Sequence, residues 1–595
     1  MKGPGRQKCR LGLKRGAFPP VLESGPHVGC DLKESKYGSG FSGMTTNGNA
    51  QPISEAPAQP WTRLATLALV LILVLSSGMV FYHLGDASFL GDEAIYALVS
   101  RETVNTGVWF PLHVGGQLYL DKPPLKISLV TALFSVFGES EFVARFPDAV
   151  FGVATIALVF VFGFRRFGLG VGVVAALVLL GAENYLCLHG VRESVQDSFL
   201  TLMSAVICCV WFVNRNASSS RARSWIAVAV AILAAGLVKN IFGLIFAILL
   251  LVIEGVFWII ERRRPAAFRP AVAMVVTVAA GMFAYVILMQ WATDGLFIQR
   301  LHEDVVVRAM RGVDAGHLHG PTFYLESVFS DFGLWLIFVL PALVGVVRRA
   351  RSLESQITAG LIFWSIGIIG GFSFSASKLP WYVYPAYPAL VLVIAFGTRE
   401  VVSILATRTH RAVAVMLITV AVAFHLGGTW KAVEADVQVI DSQRFVREYS
   451  KLDDAMLIVD EPSLSEGGRF REWNRFYLAG APGVRWLSKS PARIQPPLAE
   501  CVFLATGDPL SHLPTKLYPW RVTMVMRSVD RFAPKIWILG TCGLDVPDMV
   551  GAGKSIFAHL IRFEDFEAGD SALLTGEFDT GDHSIERVYD PIVAP

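Results

Sequence analysis

Residues Ser88–Ser128 read SFLGDEAIYALVSRETVNTGVWFPLHVGGQLYLDKPPLKIS, an acid-rich stretch directly after the first long apolar run. It carries the pair Asp92-Glu93 and then the cluster Asp121-Lys122-Pro123-Pro124. The run before it, 63–83, is long enough to cross a bilayer, which takes about 20 apolar residues. Ionisable groups this close to hydrocarbon are costly to desolvate, so they are paired or functional. A loop that concentrates carboxylates, a lysine and rigid prolines beside a span reads as part of an enzyme working at a membrane surface.

Composition agrees. Of 595 residues, 53% are hydrophobic and 17% charged, with mean hydropathy +0.51, against about 25% charged in an ordinary soluble domain. The net charge of +3 is too near neutral to indicate a nucleic-acid partner. The seven cysteines show no metal spacing. Cys187, Cys208 and Cys209 fall in apolar helices as packing, whereas Cys501 and Cys542 lie in a polar region where they would pair if it is extracytoplasmic.

The apolar pattern predicts a polytopic α-helical membrane protein with spans near 63–83, 147–164, 168–187, 197–213, 224–238, 241–260, 270–291, 323–347, 355–374, 380–397 and 411–429. The segment 124–138 is apolar too, but about 14 residues make only roughly 21 Å of helix, so it reads as re-entrant or interfacial. Leaving it uncrossed puts every basic cluster on one side: Arg165-Arg166, Arg215 with Arg221 and Arg223, Arg262-Arg263-Arg264, Arg348-Arg349, and Arg399 with Arg408. The positive-inside rule then gives about eleven or more spans and a cytoplasmic N-terminus. Residues 1–60, rich in Gly, Pro, Ser and charge, read as disordered, with no signal peptide ahead of Trp61 and an alternative start at Met44. Residues 61–430 form the membrane domain, with a catalytic first outer loop at 84–146. Residues 431–595, where short β-like runs (456–459, 501–505, 522–526, 535–539, 557–561) alternate with polar stretches, read as an extracytoplasmic α/β domain. Gly551-Ala-Gly-Lys-Ser555 lacks phosphate-loop spacing and reads as a turn.

The outer side receives Asp92, Glu93, Asp121, Lys122, Arg192, Asp197, Lys239, His302, Glu303, Arg308, Arg311, His317, His319 and Lys378. A transporter places such groups mid-span; here they gather at span ends, which favours an active site on that face. Asp92-Glu93 also fits a helix start, where acids suit the first turn. Lys122, before two prolines, reads either as a snorkelling lysine or as a point charge for a phosphate. Arg192 and Asp197, in HGVRESVQD, fit a salt bridge or a site. Lys378 follows the serines of Ser373–Ser377, another arrangement suited to phosphate. The long loop with His302, Glu303, His317 and His319 leaves a divalent metal open, without a strong ligand pattern.

Taken together, GDEAIYALVSRE, GGxxYLDKPPL, FGESEFVARFPDAVFG, the Arg-x-x-x-x-Asp of Arg192–Asp197 and SxSASKLPWYVYPAYPAL resemble the bacterial lipid-linked-sugar glycosyltransferases of the GT-C fold. That group includes the aminoarabinose transferases that modify lipid A and is related to the protein O-mannosyltransferases. The resemblance covers roughly residues 63–400. It implies a polyprenyl-phosphate-linked sugar donor, a cell-envelope acceptor (lipid A, glycan or protein), surrounding membrane lipids, and an active site on the periplasmic face of the inner membrane. By resemblance, Asp92 and Glu93 match the acidic motif, Lys122 the phosphate-contacting lysine, and Asp197 the acid at an outer span end. Asp121 stands where the family has Glu, and His302-Glu303 inverts the usual Glu-His order.

The expectation is therefore a glycosyltransferase with Asp92, Glu93 and Asp197 as catalytic carboxylates. Lys122, Arg192, Lys378, Asp121, His302 and Glu303 would bind substrate. The alternative is a transporter or flippase for lipid-linked saccharides, which would show an internal repeat with interrupted helices in both halves.

Overall fold

The computed structural model describes residues 59–436, apart from 90, 216–221, 263 and 312–317, together with 455–460, 476–477, 484–487, 501–506, 524–527 and 537–542. These belong to one compact unit that begins at Ile53. The N-terminal stretch up to residue 58, His317, the Gly551–Ser555 turn and the run 557–561 lie outside the described residues.

The first span, α1 (Arg63–Phe81), starts where the Thr62 hydroxyl accepts from the Ala65 N–H, an N-cap. Its Leu64, Leu67, Leu71 and Val74 are exposed while Ala65, Ile72 and Met79 are buried. An apolar helix with one face packed and the other open suits the edge of a membrane bundle. The chain then forms α2 (Asp92–Thr106), a hairpin of β1 (His113–Val114) and β2 (Gln117–Leu118), and α3 (Pro124–Phe137). Glu102 accepts from the Gly116 N–H at 3.0 Å and from the Gly115 N–H, pinning the hairpin turn to α2. α3 has 14 residues, the short apolar helix that the pattern predicts.

The bundle continues with α4 (Glu141–Phe167), α5 (Leu169–Leu180), α6 (Glu183–Cys187), α7 (Asp197–Asn214), α8 (Ala222–Val238), α9 (Phe242–Glu261) and α10 (Phe268–Ala292). After α11 (Leu296–His302), a π-helical turn (Glu303–Val307) and α12 (Arg308–Arg311) come α13 (Phe323–Phe332), α14 (Val339–Arg348), α15 (Leu353–Ser373), α16 (Tyr387–Ile404) and α17 (Arg408–Asp436). A 3-10 turn, Pro380–Ala386, leads into α16. The bundle centre is α16, buried without a break from Tyr387 to Thr398, flanked by α5, α14 and α15.

Among the described residues, nine helices are long and apolar enough to cross a membrane, which makes this a multi-pass membrane protein. Two of the anticipated eleven segments are not among these nine. The segment 168–187 is broken into α5 and α6, and 224–238 is a helix of 17 residues. The break follows Gly181, whose N–H closes the last turn of α5, and α6 begins where the Asp331 carboxylate accepts from the Asn184 N–H at 2.8 Å.

Beyond α17, a five-stranded sheet has the order β4 (Val484–Leu487), β3 (Ala455–Asp460), β5 (Cys501–Thr506), β7 (Trp537–Cys542), β6 (Met524–Arg527). β3 pairs parallel with β4 and β5, while β7 pairs antiparallel with β5 and β6. Four of the anticipated runs are strands. The fifth described strand, β4, was hidden in the polar run APGVRWLSKS. Cys501 and Cys542 stand directly opposite in the β5–β7 register.

Candidate active site

Three short junctions build the site. Gly91, at φ 47, turns the chain into α2, so Asp92 is the first helical residue. The α6–α7 junction folds back tightly, with the Val191 N–H donating to the Tyr185 carbonyl at 3.0 Å. A Cβ at Gly190 would sit 1.9 Å from that same carbonyl oxygen, so only glycine fits. The turn holds His189 at φ 53, a left-handed backbone that costs on the order of 1 kcal/mol or more for a residue with a Cβ. Asp197 then opens α7, and Lys239 follows the end of α8.

These residues form a chain of charge. Asp92 Oδ2 accepts from the Tyr96 hydroxyl at 2.8 Å and lies 3.8 Å from His189 Nε2. His189 Nδ1 lies 3.6 Å from Asp197 Oδ2, and Lys239 Nζ donates to Asp197 Oδ1 at 2.8 Å. The imidazole stacks on Trp381 at 3.9 Å between centroids and 9° between planes. Asp197 is 1% exposed and Asp92 47%, so Asp92 is the carboxylate that a substrate can reach.

Burial works to raise the Asp92 pKa, but His189, Lys122, the Tyr96 hydrogen bond and Lys239 outweigh it and hold the carboxyl below its usual value. Burial works to lower the His189 pKa, and Asp197, Glu193 and Asp92 reverse that and raise it. For Lys122 burial wins: its pKa is lowered, although Asp92, Asp304 and Asp121 favour the cation. Neighbours therefore favour the ionised form of Asp92 and the protonated form of His189.

Beside this chain lies a cavity of about 390 Å³. Asp121, Lys122, Lys239, Asp304 and Arg308 line one part, and Ile241, Phe242, Ile245, Phe372, Phe374 and Tyr382 line much of the rest. Arg308 Nε is buried without a hydrogen-bond partner among the described residues. Three cations against an aromatic and aliphatic wall suit an anionic head on an apolar tail. A larger cavity of about 520 Å³, lined by Trp335, Phe338, Leu417 and Phe424 among others, holds none of these cations.

Of the remaining anticipated residues, Asp121 also lines the smaller cavity. Glu93 is 1% exposed and pairs in bidentate fashion with Arg145 at 2.8 Å on both oxygens, while the Ser194 N–H donates to it at 2.6 Å. Arg192 donates to Asp436 at 2.8 Å and to the carbonyls of Met79, Val80 and Tyr82, capping the C-terminal end of α1. Lys378 donates to the carbonyls of Ser375 at 2.6 Å and His319 at 3.1 Å. Asp121 is held by Arg300 at 2.7 Å, and Glu303 meets the same arginine at 3.3 Å. His302 is exposed. Glu93, Arg192 and Lys378 thus have partners within the fold, while Asp121 and Glu303 share Arg300. Among the described residues no three His, Cys, Asp or Glu side chains converge as metal ligands.

Residues 121–290 match the family model described as dolichyl-phosphate-mannose-protein mannosyltransferase. ArnT from Cupriavidus metallidurans, solved bound to undecaprenyl phosphate, aligns over 81% of this chain and 100% of its own, with TM-score 0.56 and 18% identity. The fold is that of ArnT. Among curated proteins, undecaprenyl phosphate-alpha-4-amino-4-deoxy-L-arabinose arabinosyl transferase 1 of Pseudomonas fluorescens is 23% identical over 339 residues, 57% of each chain. The arabinosyl transferase of Edwardsiella ictaluri is 27% identical over 349 residues, 56% of this chain and 58% of that one. The chain thus spans a little over half the length of these curated relatives. The resemblance to GT-C glycosyltransferases read from the motifs extends to the ArnT fold.

His189, Lys239, Asp304 and Arg308 complete the site without having been assigned a role from sequence. Lys239 and Arg308 stand in the outer set of ionisable groups, and His189 opens the HGVRESVQD motif. What marks them is convergence from separate helix ends, and no spacing in the chain carries that.

Proposed function

We propose that the protein is a glycosyltransferase that moves a sugar from a polyprenyl-phosphate donor to a cell-envelope acceptor (lipid A, another glycan or protein), with its site on the periplasmic face of the inner membrane. The observation that carries this reading is the cavity in which Lys122, Lys239 and Arg308 meet an apolar wall beside Asp92. The ArnT fold, solved elsewhere with undecaprenyl phosphate bound, supports it, as do relatives named as aminoarabinose transferases. A pentose donor is the favoured sugar class, and the stretch beyond residue 430 is an outer domain.

Lys122 and Arg308 hold the donor phosphate. The acceptor oxygen attacks the anomeric carbon, the bond from that carbon to the phosphate oxygen breaks, and the electron pair leaves on the phosphate. Fixed cations in a partly dry cavity stabilise that departing charge. Asp92 takes the proton from an acceptor hydroxyl; with a phosphate acceptor no proton need move, and Asp92 only positions it. Asp197, buried and bound to Lys239, aligns His189, which in turn sets the charge on Asp92.

Membranes containing the full chain should consume one of a panel of radiolabelled undecaprenyl-phosphate sugars. Lys122→Ala should cut that consumption by about 10²–10³, the usual effect of losing a preorganised charge-stabilising group. Lys122→Arg should keep part of it, because the guanidinium fork differs from a point charge. Consumption of no label, or full activity of Lys122→Ala, rejects the reading.

A further inference from the structure

The chain beyond α17 touches the catalytic end of the bundle at one described point, the helical pair Phe476-Tyr477, and both rings are buried. The Tyr477 hydroxyl accepts from the Phe89 backbone N–H at 3.0 Å and donates to Glu141 Oε1 at 2.7 Å. It thereby ties the turn before Asp92 to the first residue of α4. Phe89 is fully buried, with its ring 4.8 Å from Phe476 and 6.3 Å from Tyr477. From α2, Arg101 donates to the Phe476 carbonyl at 2.7 Å and lays its guanidinium 3.5 Å from the centre of the Phe476 ring. The pair is thus a wedge between α2, α4 and the Phe89 turn.

We infer that Tyr477 is a positioning residue: the C-terminal part reaches back through the Phe476-Tyr477 wedge and fixes the turn that aims Asp92 at the substrate. Phe89 lies three residues before Asp92. Its N–H is bonded from outside the turn, while Arg145 holds the same turn from the opposite side through the carbonyls of Leu84, Ala87 and Ser88. A donor and an acceptor of one turn, each bonded to a different element, hold the approach to Gly91, whose positive φ turns the chain into α2. Removing the hydroxyl takes away this tie to the Phe89 N–H and lets Asp92 drift. Misplacing a reacting group by about 1 Å can cost on the order of a hundredfold in rate.

The turnover arm of the test rests on the transferase reading; the exchange arm does not. In the full chain, Tyr477→Phe keeps the ring and deletes the hydroxyl. Amide hydrogen exchange across residues 85–92 should speed up at least about tenfold, as for a locally opened segment. The transfer kcat should fall roughly tenfold to a hundredfold, while KM for the undecaprenyl-phosphate sugar and the affinity for undecaprenyl phosphate stay at wild-type values, because the cations of the cavity are untouched. Glu141→Gln, which still accepts from the hydroxyl, should keep wild-type exchange at 85–92. Wild-type exchange in Tyr477→Phe overturns the inference, as does a loss of donor affinity that matches the loss of kcat. If the wild-type protein transfers no sugar, the proposed function fails, and the exchange result still decides the tether.

Discussion

Asp92 and Glu93 are neighbours in the chain and belong to opposite parts of the molecule. Glu93 points into the scaffold, where a bidentate Arg145 and a backbone N–H engage both oxygens at 2.6–2.8 Å. Asp92 points to the cavity side, where its closest cation is His189 at 3.8 Å and nearly half its surface is open. The same contrast separates Arg192, spread over three carbonyls and Asp436, from Arg308, which meets Asp304 only at 3.9 Å and whose Nε has no described partner. Buried charges in a scaffold are satisfied close to completely because anything less costs several kcal/mol. Charges in a site are left under-satisfied so that a substrate can complete them. The distinguishing quantity is the number of engaged lone pairs and protons, not residue type, position in sequence, or nearness to the membrane.

The sharpest way to break this contrast is to neutralise each member of the pair. Asp92→Asn preserves shape and the helix start but cannot accept a proton at neutral pH. It should leave protein level and undecaprenyl-phosphate affinity intact and cut turnover by about 10²–10⁴. Glu93→Gln should act the other way round, leaving buried Arg145 with an uncompensated charge at a cost of about 3–5 kcal/mol. It should show as lost folded protein and a lowered melting temperature, with normal turnover per folded molecule. If Glu93→Gln is stable and slow, or Asp92→Asn is unstable and fast, the two roles are interchanged.

A smaller effect tests the cations. Arg308→Gln should weaken undecaprenyl-phosphate binding by about 1.5–3 kcal/mol, the range for a hydrogen bond to a charged group, roughly tenfold to a hundredfold in dissociation constant. Lys378→Gln, which replaces a lysine already bound to two carbonyls, should leave that affinity unchanged. Isothermal titration of the purified pair separates them. Equal losses would return Lys378 to the cavity and remove the distinction drawn from its hydrogen bonds.

How much of this was legible in the chain follows from the same physics. The membrane bundle was legible because a span is a local property: length and apolarity are written in about 20 consecutive residues. The short helix 124–137 was legible for the same reason. The break inside 168–187 was not, because the Asp331 carboxylate that starts α6 comes from a distant helix. In the site, Asp92, Asp197 and Lys122 were legible as charges at span ends. Glu93, Arg192 and Lys378 carry the same signature, and only the partners that engage them, from other segments, tell the two sets apart. His189 gave no local signal, since its role comes from Trp381 stacked on one face and carboxylates from two other helices.

The smallest expected effect concerns that histidine and the width of the working pH range. The His189 pKa is raised against burial by Asp197, Glu193 and Asp92. Its contribution is therefore complete below the unfolded value of about 6.5 and is lost as pH rises through the higher folded value. Asp92 is shifted the other way. Its carboxylate contributes above the ordinary carboxylate range and loses that contribution only as pH falls through its lowered pKa. Transfer should thus hold across mildly acid pH and decline severalfold as pH rises past neutrality, when the imidazolium between Asp92 and Asp197 loses its proton. Lys122, with its own lowered pKa, adds a second, more alkaline decline. His189→Gln removes the titrating group while keeping a hydrogen-bonding side chain. It should lower the neutral-pH rate modestly, abolish the decline nearest neutrality and leave the more alkaline one. A variant that keeps the wild-type profile would show that the histidine is packed scaffold, like Glu93, and would leave Asp92 answering to lysines alone.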